Sequence, residues 1–259
     1  MGKVIYETKN RIAYVTLNRP GQKNAIDREM HELLVEVWKD FCDDESADVA
    51  ILTGAGDAFC AGMDLKTFVP EVVGGNADQI RKLIPLGLGG ITRGLHRIHK
   101  PVIAAVNGWA LAAGFELALA ADIRVASENA KFGSFEARRG FHHGDGGIPR
   151  LVNMVGVGGA LELVLTAHPI DAHRAYQMNL VSSVVLHDEL LEQAEAVAQN
   201  ILHNDQAALH SAKATILDMI GRSLDDQLRI EAWNGYSCMA NGVDVKRRLQ
   251  AFYGKQDRA

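Results

Sequence analysis

The chain has 259 residues, 47% hydrophobic and 23% charged, a balance typical of a globular protein able to bury one sizeable core with a smaller appendage. Its 27 Lys and Arg against 32 Asp and Glu leave a formal charge of −5 at pH 7, which offers no basic footprint for nucleic acid or for an anionic membrane surface. Three widely spaced cysteines, Cys42, Cys60 and Cys238, form no CxxC pair and argue for free thiols in a reducing compartment, against a disulfide framework or a zinc site.

The segment MGKVIYETKN enters strand-like sequence at once, with neither a signal h-region nor an Arg-rich transit pattern. Tyr6 stands where an N-myristoylation motif wants Ser or Thr, and the terminal KQDRA is no peroxisomal address. The expectation is a soluble cytoplasmic protein. No apolar run is expected to approach a membrane span, because Glu116 and Asp122 interrupt the longest candidate.

IAYVTL (12–17) reads as a strand ended by the breaker cluster Asn18-Arg19-Pro20-Gly21. Asp27 is placed as an N-cap, followed by Met30, Leu33, Leu34, Val37 and Phe41 at helical spacing as far as about Cys42. VAILTG (49–54) is apolar throughout, as suits a strand covered on both faces. Residues 67–92 are polar and Gly-rich, with weak helix at 78–84 broken by Pro85, and read as a pocket lid. His96 and His99 lie at i and i+3 and are assigned to the surface. PVIAAVNG (101–108) and DIRVAS (122–127) are two more strands. From residue 158 the pattern is helical, at 158–166, 171–178, 187–203, 206–221, 223–240 and 242–253, with one short strand at 180–185. Alternating apolar strands and helices argue for an α/β fold with parallel crossovers. The organisation expected is a core over residues 1–195 and a helical region over 196–259.

The glycine motifs of nucleotide-binding proteins fail here. Gly156-Val-Gly158-Gly-Ala-Leu161 ends on leucine, Gly54-Ala-Gly56-Asp-Ala-Phe59 fails at the same place, and there is neither a GxxxxGK[ST] nor a GxSxG. Two other loops follow strands: DAFCAGMDLK (57–66) and NGWALAAGFEL (107–117). Small residues at strand C-termini let backbone amides approach a ligand, and two such loops can aim two amides at one oxygen. Glu116 is the one carboxylate inside the otherwise small or apolar run. Burying it is costly, so either another segment satisfies it or it does chemistry. Read alone, it is as readily a carboxylate held by backbone amides, and Glu136 reads as an exposed loop acid beside Arg138 and Arg139.

AFCAGMDLK, then KPVIAAVNGWALAAGFELALAADIRVAS, then AKFGSFEARRG resemble the successive signatures of the crotonase family of enoyl-CoA hydratases and isomerases, over nearly the whole chain from NRPGQKNAID (18–27) to AFYGKQ (251–256). The resemblance implies a ββα spiral core with a C-terminal helical region that drives a trimer or a dimer of trimers. It implies an acyl-CoA thioester substrate, no separate cofactor (coenzyme A being part of the substrate) and no metal. The oxyanion hole falls on the backbone amides of Met63 and Ala113, and the two catalytic glutamates on Glu116 and Glu136. Possession of both glutamates points to hydration of a 2-enoyl-CoA. A double-bond isomerase working through the second glutamate, a specialised acyl-CoA hydrolase and a non-catalytic RNA-binding member are the alternatives. Lys23, the turn of Ala61, Gly62 and Asp64, Lys66, and the C-terminal Phe252 and Lys255 match positions that bind CoA.

Two departures stand out. Ala112-Ala113-Gly114 replaces the family's frequent three glycines and narrows the pocket by two methyls. After Glu136 many hydratases read Gly-x-x-Pro-Gly-x-Gly-Gly, where this chain has Gly140-Phe-His-His-Gly-Asp-Gly-Gly147. His142, His143 and Asp145 are therefore candidate pocket residues, forming either a polar rim or a third acid/base group with a histidine as pH-sensitive partner. Adjacent histidines diverge and no further ligand is evident, which argues against a metal there.

Overall fold

The computed structural model describes residues 2–83, 85, 87–93, 98–242 and 244–256. His96 lies outside the described residues, and His99 is exposed. By internal contacts the chain divides into two compact units, residues 1–199 and 200–259.

The first unit opens with the antiparallel pair β1 (Val4–Lys9) and β2 (Ile12–Leu17). Asp27 caps the helix α1 (Arg28–Asp43) by accepting from the Met30 amide at 2.9 Å. This helix buries Met30, His31, Leu34, Trp38 and Phe41. Next come β3 (Val49–Gly54) and β4 (Ala58–Cys60), then two short helices, α2 (Phe68–Val73) and α3 (Ala77–Leu83). After them β5 (Val102–Val106), β6 (Trp109–Leu111) and helix α4 (Ala113–Ala120) repeat the order strand, strand, helix. So do β7 (Ile123–Ser127), β8 (Lys131–Gly133) and α5 (Gly147–Thr166). A two-residue β9 (Ile170–Asp171), helix α6 (Ala172–Gln177), β10 (Ser183–Val185) and helix α7 (Leu190–Leu202) follow.

Each repeat gives one strand to each of two sheets. The larger has the order β1-β2-β3-β5-β7-β10, parallel after its first pair, and the smaller has β4-β6-β8-β9. This is the ββα spiral. The central strands β3 and β5 bury nearly every side chain, as parallel strands covered on both faces must. Asn107 ties the two sheets together. Its Nδ2 donates to the carbonyls of Gly56 (2.9 Å) and Ala58 (3.2 Å), and its Oδ1 accepts from the Gly54 amide.

Two expectations are corrected. Helix α5 begins at Gly147, eleven residues before the expected 158, because Gly156, at φ 72°, kinks the helix without ending it. It is also long and apolar enough, by length and composition, to cross a membrane. In this fold it buries Gly147, Leu151, Ala160 and Leu163, while Arg150 donates to the Thr92 carbonyl. In the second unit, α8 (Gln206–Met219) and α9 (Leu224–Asn241) pack on each other, joined by Asn234 Nδ2 to Thr215 Oγ1 at 2.9 Å, and α10 (Val245–Gln256) follows. Leu224, Leu228, Trp233, Tyr236 and Met239 of α9 are exposed.

Candidate active site

The loop after β4 and the start of α4 meet at Gly62. A Cβ added there would sit 3.2 Å from the Ala113 amide nitrogen. Residue 63 also forms a parallel bridge to Ile26, with Ile26 N donating to Gly62 O and Asp64 N to Ile26 O. In that pattern the Met63 N–H points to the opposite side. Ala113 is the first residue of α4, where amides have no intrahelical acceptor. Met63 and Ala113 thus come from two segments that meet at Gly62, and both line a cavity of about 510 Å³. Ala112, just before them, adopts φ 50° and ψ −127°, a region that favours glycine and that a methyl group strains.

Glu116 is in the first turn of α4, 1% exposed. Its Oε1 accepts from the amides of Gly147 (2.8 Å) and Asp145 (2.9 Å), supplied by the loop that enters α5. Gly147 has to be glycine, since a Cβ would lie 2.8 Å from Glu116 Cγ and 2.5 Å from His143 Cδ2. Burial first, then the negative charges of Asp145 and Glu136, push the Glu116 carboxyl up to about 8, with these amides offsetting only part of the rise. Glu136 opens a 3₁₀ turn (Glu136–Arg139). It is not the exposed acid that its flanking arginines imply, because it is 3% exposed. Burial pushes its carboxyl up to about 7, with Asp145 adding to the rise and His142 opposing it. The site therefore holds two protonatable carboxyls near neutral pH in one enclosure, the condition general acid/base work needs.

One cavity wall brings together Ala61, Met63, Ala113, Glu116, Glu136, His142 and Asp145. The cavity's apolar lining includes Phe68, Val69, Val72, Val73 and Leu88, all from the segment expected to be a lid. His31, Arg93, Arg139 and Phe141, which the sequence did not single out, also line it. His31 falls on the buried face of α1, and its Nδ1 accepts from the Gly89 amide at 3.1 Å.

Other candidates lie elsewhere. Lys23 is ion-paired with Asp57. Lys66 is exposed, and its amide, like that of Thr67, donates to Asp64 Oδ1. The Asp64 carboxylate also pairs with Arg19 at 3.1 Å, so its side chain is committed to holding the turn. Phe252 is exposed on α10 with its ring 5.9 Å from Tyr253; the side chain of Lys255 lies outside the described residues. Among the described residues no group of three His, Cys, Asp or Glu is arranged to hold a metal.

Asp145 acts as a clasp. Its Oδ1 accepts from Leu88 N (2.8 Å) and Thr92 Oγ1 (3.2 Å) and faces Arg93 Nε at 3.7 Å, while its own amide holds Glu116. Its carboxylate is a committed acceptor, a poor arrangement for donating a proton. Because its charge helps raise Glu116, Asp145→Asn is expected to move the Glu116-controlled limb of the kcat/KM profile to lower pH. A wild-type limb in that variant would exclude this coupling.

Residues 7–258 match the model of the family described as enoyl-CoA hydratase/isomerase. The crotonyl-CoA hydratase of Syntrophomonas wolfei is 35% identical over 254 residues, 98% of this chain and 95% of the relative. The short-chain-enoyl-CoA hydratase of Clostridium acetobutylicum is 36% identical over 257 residues, 99% and 96% of the two chains. The crystal structure of an enoyl-CoA hydratase from Bacillus anthracis superposes with a TM-score of 0.88 at 34% identity, covering 98% of this chain and 97% of that one.

Proposed function

The chain belongs to the enoyl-CoA hydratase/isomerase family, and from that premise we propose that it hydrates the C2=C3 bond of a 2-enoyl-CoA thioester. The observation that carries this reading is the burial of two raised-midpoint carboxyls, Glu116 and Glu136, in the cavity that Met63 and Ala113 also line. The thioester carbonyl accepts from the Met63 and Ala113 amides, which stabilise the enolate oxygen that develops as C3 is attacked, by roughly 3–4 kcal/mol per donor. Water lies between the carboxyls. Ionised Glu116 takes one of its protons as the oxygen bonds to C3, and protonated Glu136 delivers a proton to C2. The 3-hydroxyacyl-CoA product leaves with Glu116 protonated and Glu136 ionised, and proton exchange with solvent restores the pair. Phe68, Val69, Val72 and Val73 favour an apolar acyl tail.

For the CoA moiety, Lys23 and Lys66 supply cations, the first once its pairing with Asp57 is exchanged for phosphate, and Phe252 and Lys255 are read as completing the CoA site of an adjacent subunit. Exposed apolar side chains on α5, such as Leu161 and Leu165, and on α9 support a homotrimer or dimer of trimers, and the reading places the protein in the cytoplasm. No separate cofactor enters the reaction.

A panel of 2-enoyl-CoA thioesters analysed by mass spectrometry tests the assignment. Addition of one water with CoA retained is expected. Release of free CoA means hydrolysis, and a moved double bond at unchanged mass means isomerisation. The same thioesters are expected to raise the melting temperature, because they bind only the folded state, whereas equal stabilisation by NAD or ATP contradicts an acyl-CoA site.

A further inference from the structure

His143 stands where the resemblance expects proline, and it is buried, 6% exposed. Its Nε2 lies between two acceptors, 3.1 Å from Ser134 Oγ and 3.4 Å from Glu136 Oε2. Both Glu136 oxygens are buried without a hydrogen bond, and so is His143 Nδ1. From this geometry we infer that His143 is a positioning residue for Glu136, carrying one N–H on Nε2 that turns to the carboxylate when Glu136 is ionised and to Ser134 when it is protonated. The inference rests on the proposed hydration, which requires Glu136 to exist in both states within each turnover.

The tautomer follows from the cost of burial. A buried N–H without an acceptor is rarer and costlier than an unfilled lone pair. The unpartnered Nδ1 is therefore the bare nitrogen, and the proton sits on Nε2, where acceptors are in reach. Burial first, then the neighbouring His142, lowers the His143 ring to about 4, so it stays neutral while Glu136 titrates and acts as a dipole. Neither acceptor bond need be ideal at rest, since 3.4 Å is beyond a formed hydrogen bond and a small ring rotation shortens it. Around Glu136 the other charged groups are Asp145, which raises its midpoint, and His142, which lowers it. Glu116, Arg139, Arg93 and His31 share the cavity. None of these hydrogen-bonds to the Glu136 oxygens, the residue's own backbone amide acts to lower the midpoint, and His143 Nε2 lies 3.4 Å from Oε2.

Donation to the ionised form lowers a carboxyl midpoint, so losing the donor raises it. His143→Leu is expected to raise the Glu136 midpoint by roughly one unit. Kinetically, the shift displaces the pH profile of hydration, which needs Glu136 protonated, and that of dehydration, which needs it ionised. His143→Gln retains an N–H donor on a similar reach and is expected to restore the wild-type midpoint whatever its rate. An activity-independent readout is infrared titration of the protonated-carboxyl band that Glu136→Gln abolishes. Unmoved limbs and an unmoved band in His143→Leu, or equal displacement in the Leu and Gln variants, overturn the role. If the wild type shows no hydration in the thioester panel, the infrared midpoint still decides whether His143 sets Glu136, so failure of the inference and failure of the functional reading are told apart.

Discussion

Glu116→Gln is expected to lower kcat for hydration by roughly 10²–10⁴-fold, and Glu136→Gln by a similar factor, because each removes a proton-transfer partner used in the transition state. Normal turnover in Glu116→Gln with a dead Glu136→Gln would replace hydration by a one-acid isomerisation. The same variants carry a stability signature of opposite sign. Glu116 has an ordinary midpoint of 4.5 and a folded one of about 8, so across that window the native state binds a proton that the unfolded chain has released. Stability is full below the unfolded value, falls as pH rises towards the folded one, and levels off beyond it. The Gln amide avoids this loss while its oxygen keeps the acceptor role towards Asp145 and Gly147. Melting temperature followed from pH 5 to 9 is therefore expected to decline in the wild type and to flatten in Glu116→Gln, and more so with Glu136→Gln added. Parallel curves for wild type and variant would show that burial of Glu116 costs nothing. An active site less stable than its inactive variant is the ordinary cost of placing charge in a core.

Gly114→Ala is expected to damage catalysis and stability together. Its Cβ would lie 2.7 Å from the Cys60 carbonyl carbon and closer still to the oxygen, so backbone has to separate from backbone. Overpacking of this kind costs about 1–3 kcal/mol. The displacement moves the start of α4 away from the β4 loop, and with it the Ala113 amide from the Met63 amide. Losing one oxyanion donor lowers kcat by roughly 10²–10³-fold. Gly21→Ala, where an added methyl meets nothing within 4 Å, serves as the control and is expected to keep both activity and melting temperature. Wild-type kcat in a folded Gly114→Ala would mean that the two amides do not act as one site.

Local chemistry made some elements legible before any contact was known. Asp27 capped α1 because a carboxylate three residues before an amide donor has one obvious use, and the all-apolar β3 and β5 can only be strands covered on both faces. Length made others illegible. The three-residue β4, β6 and β8 carry too few side chains to show a period, yet they form the second sheet and set the loops that hold Met63 and Glu116. Helix α5 was misjudged at its start because glycines at 144, 146 and 147 read as loop, whereas Gly147 is required by the close approach of Glu116.

At the site, Glu116 declared itself by its cost, a carboxylate in an apolar run, and the crotonase-like signatures supplied its partner Glu136. What sequence by itself determined was therefore the family, the spiral fold and the two glutamates that share the cavity. Only the tertiary structure decided the electrostatics. Glu136 looked exposed beside two arginines, and packing buried it; Asp145 looked like a spare acid, and Leu88, Thr92 and Arg93 committed it as an acceptor. The physical reason is that propensity and periodicity act between residues near in sequence, whereas a carboxyl midpoint depends on desolvation and on donors from distant segments. The amides of residues 145 and 147 reach Glu116 across about thirty positions, and nothing local encodes that meeting.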